Sequence, residues 1–450
     1  MSSLPNNAPS RLEALRESIE LGRLDALRRS LLSMSPAEIA LMLESLPPAE
    51  REVLWRTMDS DEEGEVLVHV GDEVRSGLIE ITEADELLAA ADALEFDDLA
   101  DIIADLPETV THRLLQSMGA QDRERLNQVL AHPEDTAGGL MNTDTLTVRA
   151  SVTIAIVRRY LRMRGEIPAA TDRLFVVNRY GKYLGTLNIT RLLTADDDAR
   201  VGEVMDTSEA AINVDATAQE VARLFADRDL VSAAVVDDAG SLLGRITIDD
   251  VVDVISEQAE HSMMSMAGLD EDEDLFAPVR ASAYRRAVWL GLNLATAFLA
   301  AAVVGMFDDT IEKAVALAVL MPVVASMGGI AGSQTLTLMI RALALGQIED
   351  ANARLILAKE VAVGALNGVA WAAVVAAIAM LWFRSWELGA VIATAMLLNL
   401  IAAAMAGVIV PLVLKRLGAD PALAGSVVLT TITDVVGFTT FLGLGALVLV

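Results

Sequence analysis

The chain has 450 residues, 53% of them hydrophobic and 22% charged, with a formal net charge of −30, four histidines and no cysteine. That balance argues against nucleic acid as a partner, because phosphate backbones need clustered lysine and arginine. Missing thiols exclude disulfide frameworks and thiolate metal sites, and so few histidines make a zinc enzyme a poor fit. Apolarity and charge coexist because they are segregated: nine of the 64 acidic residues and eight of the 34 basic ones follow Arg285. An acidic soluble part is joined to an apolar part, and its negative surplus serves cations as partners or simple solubility.

The opening Met1-Ser-Ser-Leu-Pro-Asn shows no basic-then-apolar leader pattern, so the soluble part is expected in the cytosol. Residues 11–131 place apolar positions at helical spacing. Ile39–Leu46 followed by Pro47 echoes Leu99–Leu106 followed by Pro107, the pattern of short stacked helices in an α-helical superhelix. Asp97 and Asp101 fall four residues apart, on one face. Such a pair reads as a divalent-cation site or as a solvated acidic face.

Two repeats follow, over 132–200 and 201–256. Phe175–Ile189 matches Ala234–Ile248 at a constant offset of 59 residues, each copy reading strand, glycine turn, strand, helix. Gly139-Leu-Met141 and Glu203-Val-Met205 open the units. The arrangement resembles an α/β tandem CBS (Bateman) pair, which implies a regulatory module and adenosine-nucleotide binding. The ribose pattern Gly-x-x-Thr-x-x-Asp of such modules is met by Gly244, Thr247 and Asp250, and decays to Gly185, Asn188 and Arg191 in the first copy. The pattern leaves room for a nucleotide such as ATP at one site at most, through Thr247 and Asp250; the other reading is a purely structural pair.

Residues 257–285 read as the end of a connecting helix that closes at Gly268, then an acidic linker, Leu269–Leu275. Beyond it, five apolar stretches, about 288–306, 314–344, 361–383, 388–414 and 422–450, are each close to or above the ~20 residues that cross a bilayer. Arg285, Arg286, Arg341, Arg354, Lys359, Lys415 and Arg416 gather on one set of loops, which the positive-inside rule assigns to the cytosol together with the N-terminus. Five crossings then leave Val450 outside.

The second span is over-long and contains Pro322 and Gly328-Gly329, read as either a pore-lining bend or small residues for tight packing. In the fifth span Asp434 is the one acidic residue well inside an apolar run. A carboxylate at that depth costs roughly 2.5–3.5 kcal/mol and faces a pore or a partner. Ser426, Thr430 and Asp434 recur on one helical face, and Thr431 and Thr433 add hydroxyl oxygens nearby. Oxygen donors without nitrogen or sulfur suit Mg²⁺ or Ca²⁺. The other reading is a protonated carboxyl bonded between helices.

The order of these parts, with His132-Pro-Glu-Asp-Thr-Ala-Gly-Gly-Leu-Met141, Pro322–Ala344, Asp420-Pro-Ala-Leu and Thr430-Thr-Ile-Thr-Asp434, resembles the MgtE family of magnesium channels over residues 11–450. The resemblance implies a multi-domain membrane protein: helical N domain (11–131), CBS pair (132–200 and 201–256), plug helix and linker (257–285), and five-helix transmembrane domain (286–450). It implies a homodimer in the plasma (inner) membrane, with a pore ion held by Asp434 and the carbonyl of Thr430. It implies closure by cytosolic Mg²⁺ bridging Asp97, Asp101, Asp229, Asp250, Asp253 and Asp420. The sequence departs from the family pattern at Gln219, Gln258, His261 and Ser262, where carboxylates are usual, and at Ile330, where an asparagine is usual. Alternatives are a non-conducting Mg²⁺ or nucleotide sensor and a carrier of Mn²⁺ or Co²⁺. No nucleophile–base pair or phosphate loop is seen, so enzymatic activity is not expected.

Overall fold

The structure, a computed structural model, describes residues 8–450 apart from 59, 93, 104, 166, 169, 270–272, 349 and 350. The opening hexapeptide and residues 270–272 of the acidic linker thus lie outside the described residues. The chain divides into two compact units, residues 1–259 with 272–277, and residues 260–271 with 278–450.

The first unit begins with short stacked helices between Ala8 and Leu130. Their starts follow local chemistry. Ser35 and Glu38 form a reciprocal capping box before Pro36. Pro47 and Pro107 cap the helices Pro48–Trp55 and Glu108–Ser117, where a missing N–H is harmless. Leu46 and Leu106, which precede those prolines, are both buried in one continuous core with Leu43, Leu54 and Leu99.

Two three-stranded sheets follow, β1 (Thr147–Arg149), β2 (Arg173–Val177) and β3 (Tyr183–Asn188), then β4 (Ile212–Asn213), β5 (Ser232–Val236) and β6 (Leu242–Thr247). In each, the first strand pairs parallel and the last antiparallel to the central one. Arg173 faces Asn188 as Ser232 faces Thr247, and both sheets shift register at the same place, Val176/Val177 and Val235/Val236. The 59-residue repeat is therefore a repeat of register.

The opening segments are exchanged between the copies. Ala137 and Met141 bury in the core of the second copy, while Val201, Val204 and Met205 pack in that of the first. Backbone bridges join Asn142 to Arg245 and Thr186 to Asp206. Gly185 and Gly244 permit this. A Cβ on Gly185 would lie 2.2 Å from the Asp206 carbonyl oxygen, and one on Gly244 2.8 Å from that of Asn142. These two glycines of the ribose pattern thus have a packing reason of their own.

The connecting helix is longer than its sequence reading. One helix runs Ile248–Ala267, so the boundary placed at 256/257 falls inside it. It ends where Gly268 takes a φ of +70°. Past residue 272 the acidic linker is not simply solvated. Arg51 grips Asp274 through two hydrogen bonds of 2.9 and 3.0 Å, and both side chains are buried.

Among the described residues, the second unit holds five helices long and apolar enough to cross a membrane: Val279–Gly305, Val315–Ala344, Ala353–Phe383, Trp386–Arg416 and Pro421–Val448. They are called the first to fifth membrane helices. The second is not interrupted: the helix continues through Pro322 and both glycines. Glycines set its packing. A Cβ on Gly332 would press on Leu429 of the fifth helix, and one on Gly407 of the fourth would press on Thr335 of the second. Close backbone approach of this kind stands in for the hydrophobic drive that lipid removes.

Candidate functional site

In the membrane unit, a cleft of about 790 Å³ opens between the second and fifth helices. Ala325, Ser326, Gly329, Ile330, Ser333, Gln334 and Thr337 line it from the second helix, Thr430 and Asp434 from the fifth. The opposite face of the second helix, Leu317, Leu320, Val324, Gly328, Gly332 and Thr335, is buried against its neighbours. Helical spacing thus sorts one apolar-looking span into a packed stripe and a stripe bearing hydroxyls and an amide.

Asp434 is half-buried and faces this cleft. Thr430 lies one turn earlier. Its hydroxyl donates to the Ser426 carbonyl at 2.9 Å, and its carbonyl accepts the Thr433 hydroxyl at 3.0 Å. Thr431 donates to the Val427 carbonyl, and Thr433 is fully buried. The expectation that all three threonines enrich the site is therefore corrected: of the three, Thr430 alone lines the cleft, because Thr431 and Thr433 fall on other faces of the helix. Ile330 puts an apolar side chain into the cleft wall.

Two polar groups of the bundle escaped the sequence reading. Glu360, buried in the third helix, accepts from Thr335 at 3.4 Å and from Lys359 Nζ at 2.8 Å. The apolar run was counted from 361, one residue too late to include it. Asn399, wholly buried in the fourth helix, donates to the Val324 carbonyl at 3.0 Å.

The soluble unit contains a second concentration of chemistry. Asp97, Asp98 and Asp101 project from the helix Phe96–Ile103, and Asp250 stands at the start of Ile248–Ala267. Loss of hydration, then repulsion from neighbouring carboxylates, pushes Asp97, Asp98 and Asp250 up to about 7. Asp101, at an exposed edge, is also pushed up to about 7, by partial loss of hydration and by Glu134, with Arg75 opposing. Asn142 donates to Glu95 and, at 3.3 Å, to Asp97. Burial raises Asp253 as well, against the pull of His69.

The fold brings Asp97, Asp101 and Asp250 near one another and gathers Asp98, Glu95 and Asp249 with them, which the sequence reading did not name. Asp229 is elsewhere. It closes the helix Ala218–Arg228 at a left-handed φ of 51°, and no hydrogen bond or ion pair among the described residues joins it to the cluster. Asp420 caps the fifth membrane helix, accepting from Ala422 and Leu423 at 2.8 and 3.2 Å. His261 Nε2 lies 3.3 Å from its Oδ2.

Hard cations take such oxygen donors. The crowded carboxylates fit a divalent ion by charge and donor type. Among the described residues, however, no three His, Asp or Glu side chains converge on one point able to hold a metal.

Thr247 donates its N–H and its hydroxyl to Asp250, each at 3.0 Å, so the two ribose-pattern residues satisfy one another. An open cavity of about 280 Å³ lies at the copy whose pattern decays, lined by Thr186, Asn188, Arg191 and Val204–Ser208.

Comparison with known proteins bears on both regions. Residues 321–444 match a family model described as a divalent cation transporter, residues 34–135 one described as the MgtE intracellular N domain, and residues 137–198 and 201–257 the CBS domain. The magnesium transporter MgtE of Thermus thermophilus is 29% identical over 441 residues, 97% of this chain and 98% of that one. That of Bacillus subtilis is 25% identical over 94% of each chain. A crystal structure of the cytosolic domain of the Mg²⁺ channel MgtE in complex with ATP aligns at 30% identity and a TM-score of 0.50, over 54% of this chain and 99% of that one.

Proposed function

The chain belongs to the MgtE family, and from that premise we propose that it is a channel that admits Mg²⁺ down its electrochemical gradient under feedback from cytosolic Mg²⁺. The observation that carries the reading is the cleft: a half-buried carboxylate, Asp434, in a membrane helix, facing hydroxyls and an amide. The cleft belongs to one chain, and a second copy presenting its own Asp434 would close it into a pore. Two carboxylates would then attract a hydrated divalent ion. Mg²⁺ surrenders water reluctantly, which suits Ser326, Ser333, Gln334 and Thr337 as partners of its water shell. Inward movement is driven by about 2.3 kcal/mol per charge per 100 mV, doubled for a divalent ion. The basic loops support a cytosolic N-terminus and an extracytoplasmic C-terminus.

Feedback is read from the carboxylates around Asp97 and Asp250. Cytosolic Mg²⁺ shared among them relieves repulsion and favours the compact arrangement, which we assign to the closed state. Asp420 takes part differently, through His261. That contact joins the connecting helix to the fifth membrane helix without a bridging ion, so closure is expected to need fewer cations than a plug helix bearing carboxylates. ATP is assigned to the CBS pair through Thr247 and Asp250, and Thr247→Val should weaken ATP binding measured by calorimetry.

The test is Mg²⁺ uptake into proteoliposomes by wild type and Asp434→Ala, with Mn²⁺ and Co²⁺ as competitors. Uptake lost in the variant and resistant to the competitors supports a Mg²⁺ pore. Uptake preferring Mn²⁺ or Co²⁺ would reassign the ion, and no uptake of any of the three would favour a membrane sensor.

A further inference from the structure

Asn399 is 0% exposed in the fourth membrane helix. Its Nδ2 donates to the Val324 carbonyl of the second helix, and no described residue donates to its Oδ1. An unpaired buried acceptor costs roughly 1–3 kcal/mol. Packing alone does not account for an asparagine here.

The amide occupies space left by two glycines on two other helices. A Cβ on Gly328 would lie 2.3 Å from Nδ2, and one on Gly437 2.7 Å from it. Gly328 adjoins Gly329 and Ile330, which line the cleft, and Gly437 lies one turn beyond Asp434. One side chain therefore wedges between both cleft-lining helices, from their packed side, and is hydrogen-bonded to one of them.

We propose that Asn399 is a positioning residue that sets ion specificity, by fixing the separation of the second and fifth helices and hence the width of the cleft beside Asp434. The inference rests on the pore reading above. An ion held through its water shell is recognised by the span it must fill, and such sites tolerate displacements of only about 0.5 Å. Ca²⁺ is larger and accepts irregular coordination, so a slackened cleft should admit it.

The experiment is uptake into proteoliposomes by the full chain as wild type, Asn399→Leu, Gly437→Ala and Asp434→Ala. It reads maximal Mg²⁺ flux, half-saturating concentration and the ratio of Mg²⁺ to Ca²⁺ flux. Asn399→Leu removes the hydrogen bond and adds bulk between the two helices; Gly437→Ala pushes on the amide from the other side. Both should lower the Mg²⁺/Ca²⁺ ratio about tenfold. Should Asn399→Leu fail to fold, Gly437→Ala decides by the same criterion. Asp434-dependent uptake with an unchanged ratio would overturn this inference alone. Uptake indifferent to Asp434→Ala would overturn the pore reading, and this inference with it.

Discussion

Glu63 illustrates how a single side chain makes stability depend on pH. It is 5% exposed in the helix Ser60–His69, and its Oε2 has no hydrogen-bond partner among the described residues. Burial first, and Glu86 second, raise its carboxyl from the ordinary 4.5 to about 7. The folded chain therefore holds a proton that the unfolded chain releases between those values. Stability from this group is complete below about pH 4.5, is lost as pH rises to about 7, and is flat above. Glu63→Gln mimics the protonated form, so it should stabilise the protein at pH 8 by about 1–3 kcal/mol and leave it nearly unchanged at pH 4.5. Thermal melts of both proteins at the two pH values check this; a gap independent of pH contradicts it. At this scale legibility followed chemical contrast. Asp434 stood out because a carboxylate in an apolar run is costly, whatever surrounds it. Glu360 and Asn399 did not: the third helix begins at Ala353, well before its apolar run, and an amide in an apolar span gives no sign of being wholly buried.

At the scale of elements, the repeat was visible in the sequence down to its register, because alternating strand residues and turn glycines are local signals. The exchange of opening segments was not. Ala137 and Met141 are equally good core residues for either copy, and only the assembled sheets decide which core takes them. Gly185 records that decision. Gly185→Ala would drive a methyl into the Asp206 carbonyl, an immovable backbone atom, and should cost about 1–3 kcal/mol or more. The expected outcome is a lower melting temperature of the full chain; an unchanged one would contradict the close approach. The buried Arg51–Asp274 pair makes a second case. Asp274 sits in an acidic run that reads as solvated linker, and nothing local marks it as the residue that folds back. Removing one partner strands a buried charge, so Arg51→Ala should destabilise by about 3–5 kcal/mol, whereas replacing both with apolar residues should cost much less. A double-mutant cycle of denaturant midpoints distinguishes the two, and equal additive losses would contradict a coupled pair.

For the molecule as a whole, charge segregation announced two physical phases in one chain, and the structure divides it into two compact units. The candidate feedback site was partly legible: the spacing of Asp97 and Asp101 is a one-helix signal, while their meeting with Asp250 comes from folding over about 150 residues of intervening chain. If divalent ions relieve this crowding, Mg²⁺ should raise the melting temperature of the wild type, and Asp97→Asn with Asp101→Asn should reduce that gain and weaken inhibition of uptake by cytosolic Mg²⁺. A full gain retained in the double variant would place the regulatory ions elsewhere. The central claim is that the charge of Asp434 draws the ion into the membrane cleft, and the most direct measurement isolates that charge. Mg²⁺ uptake into proteoliposomes at an imposed inside-negative potential is compared for wild type and Asp434→Asn, which keeps shape and removes charge. The account predicts potential-driven uptake by the wild type and its loss in the variant, with both proteins folded. Equal uptake by the two would contradict it.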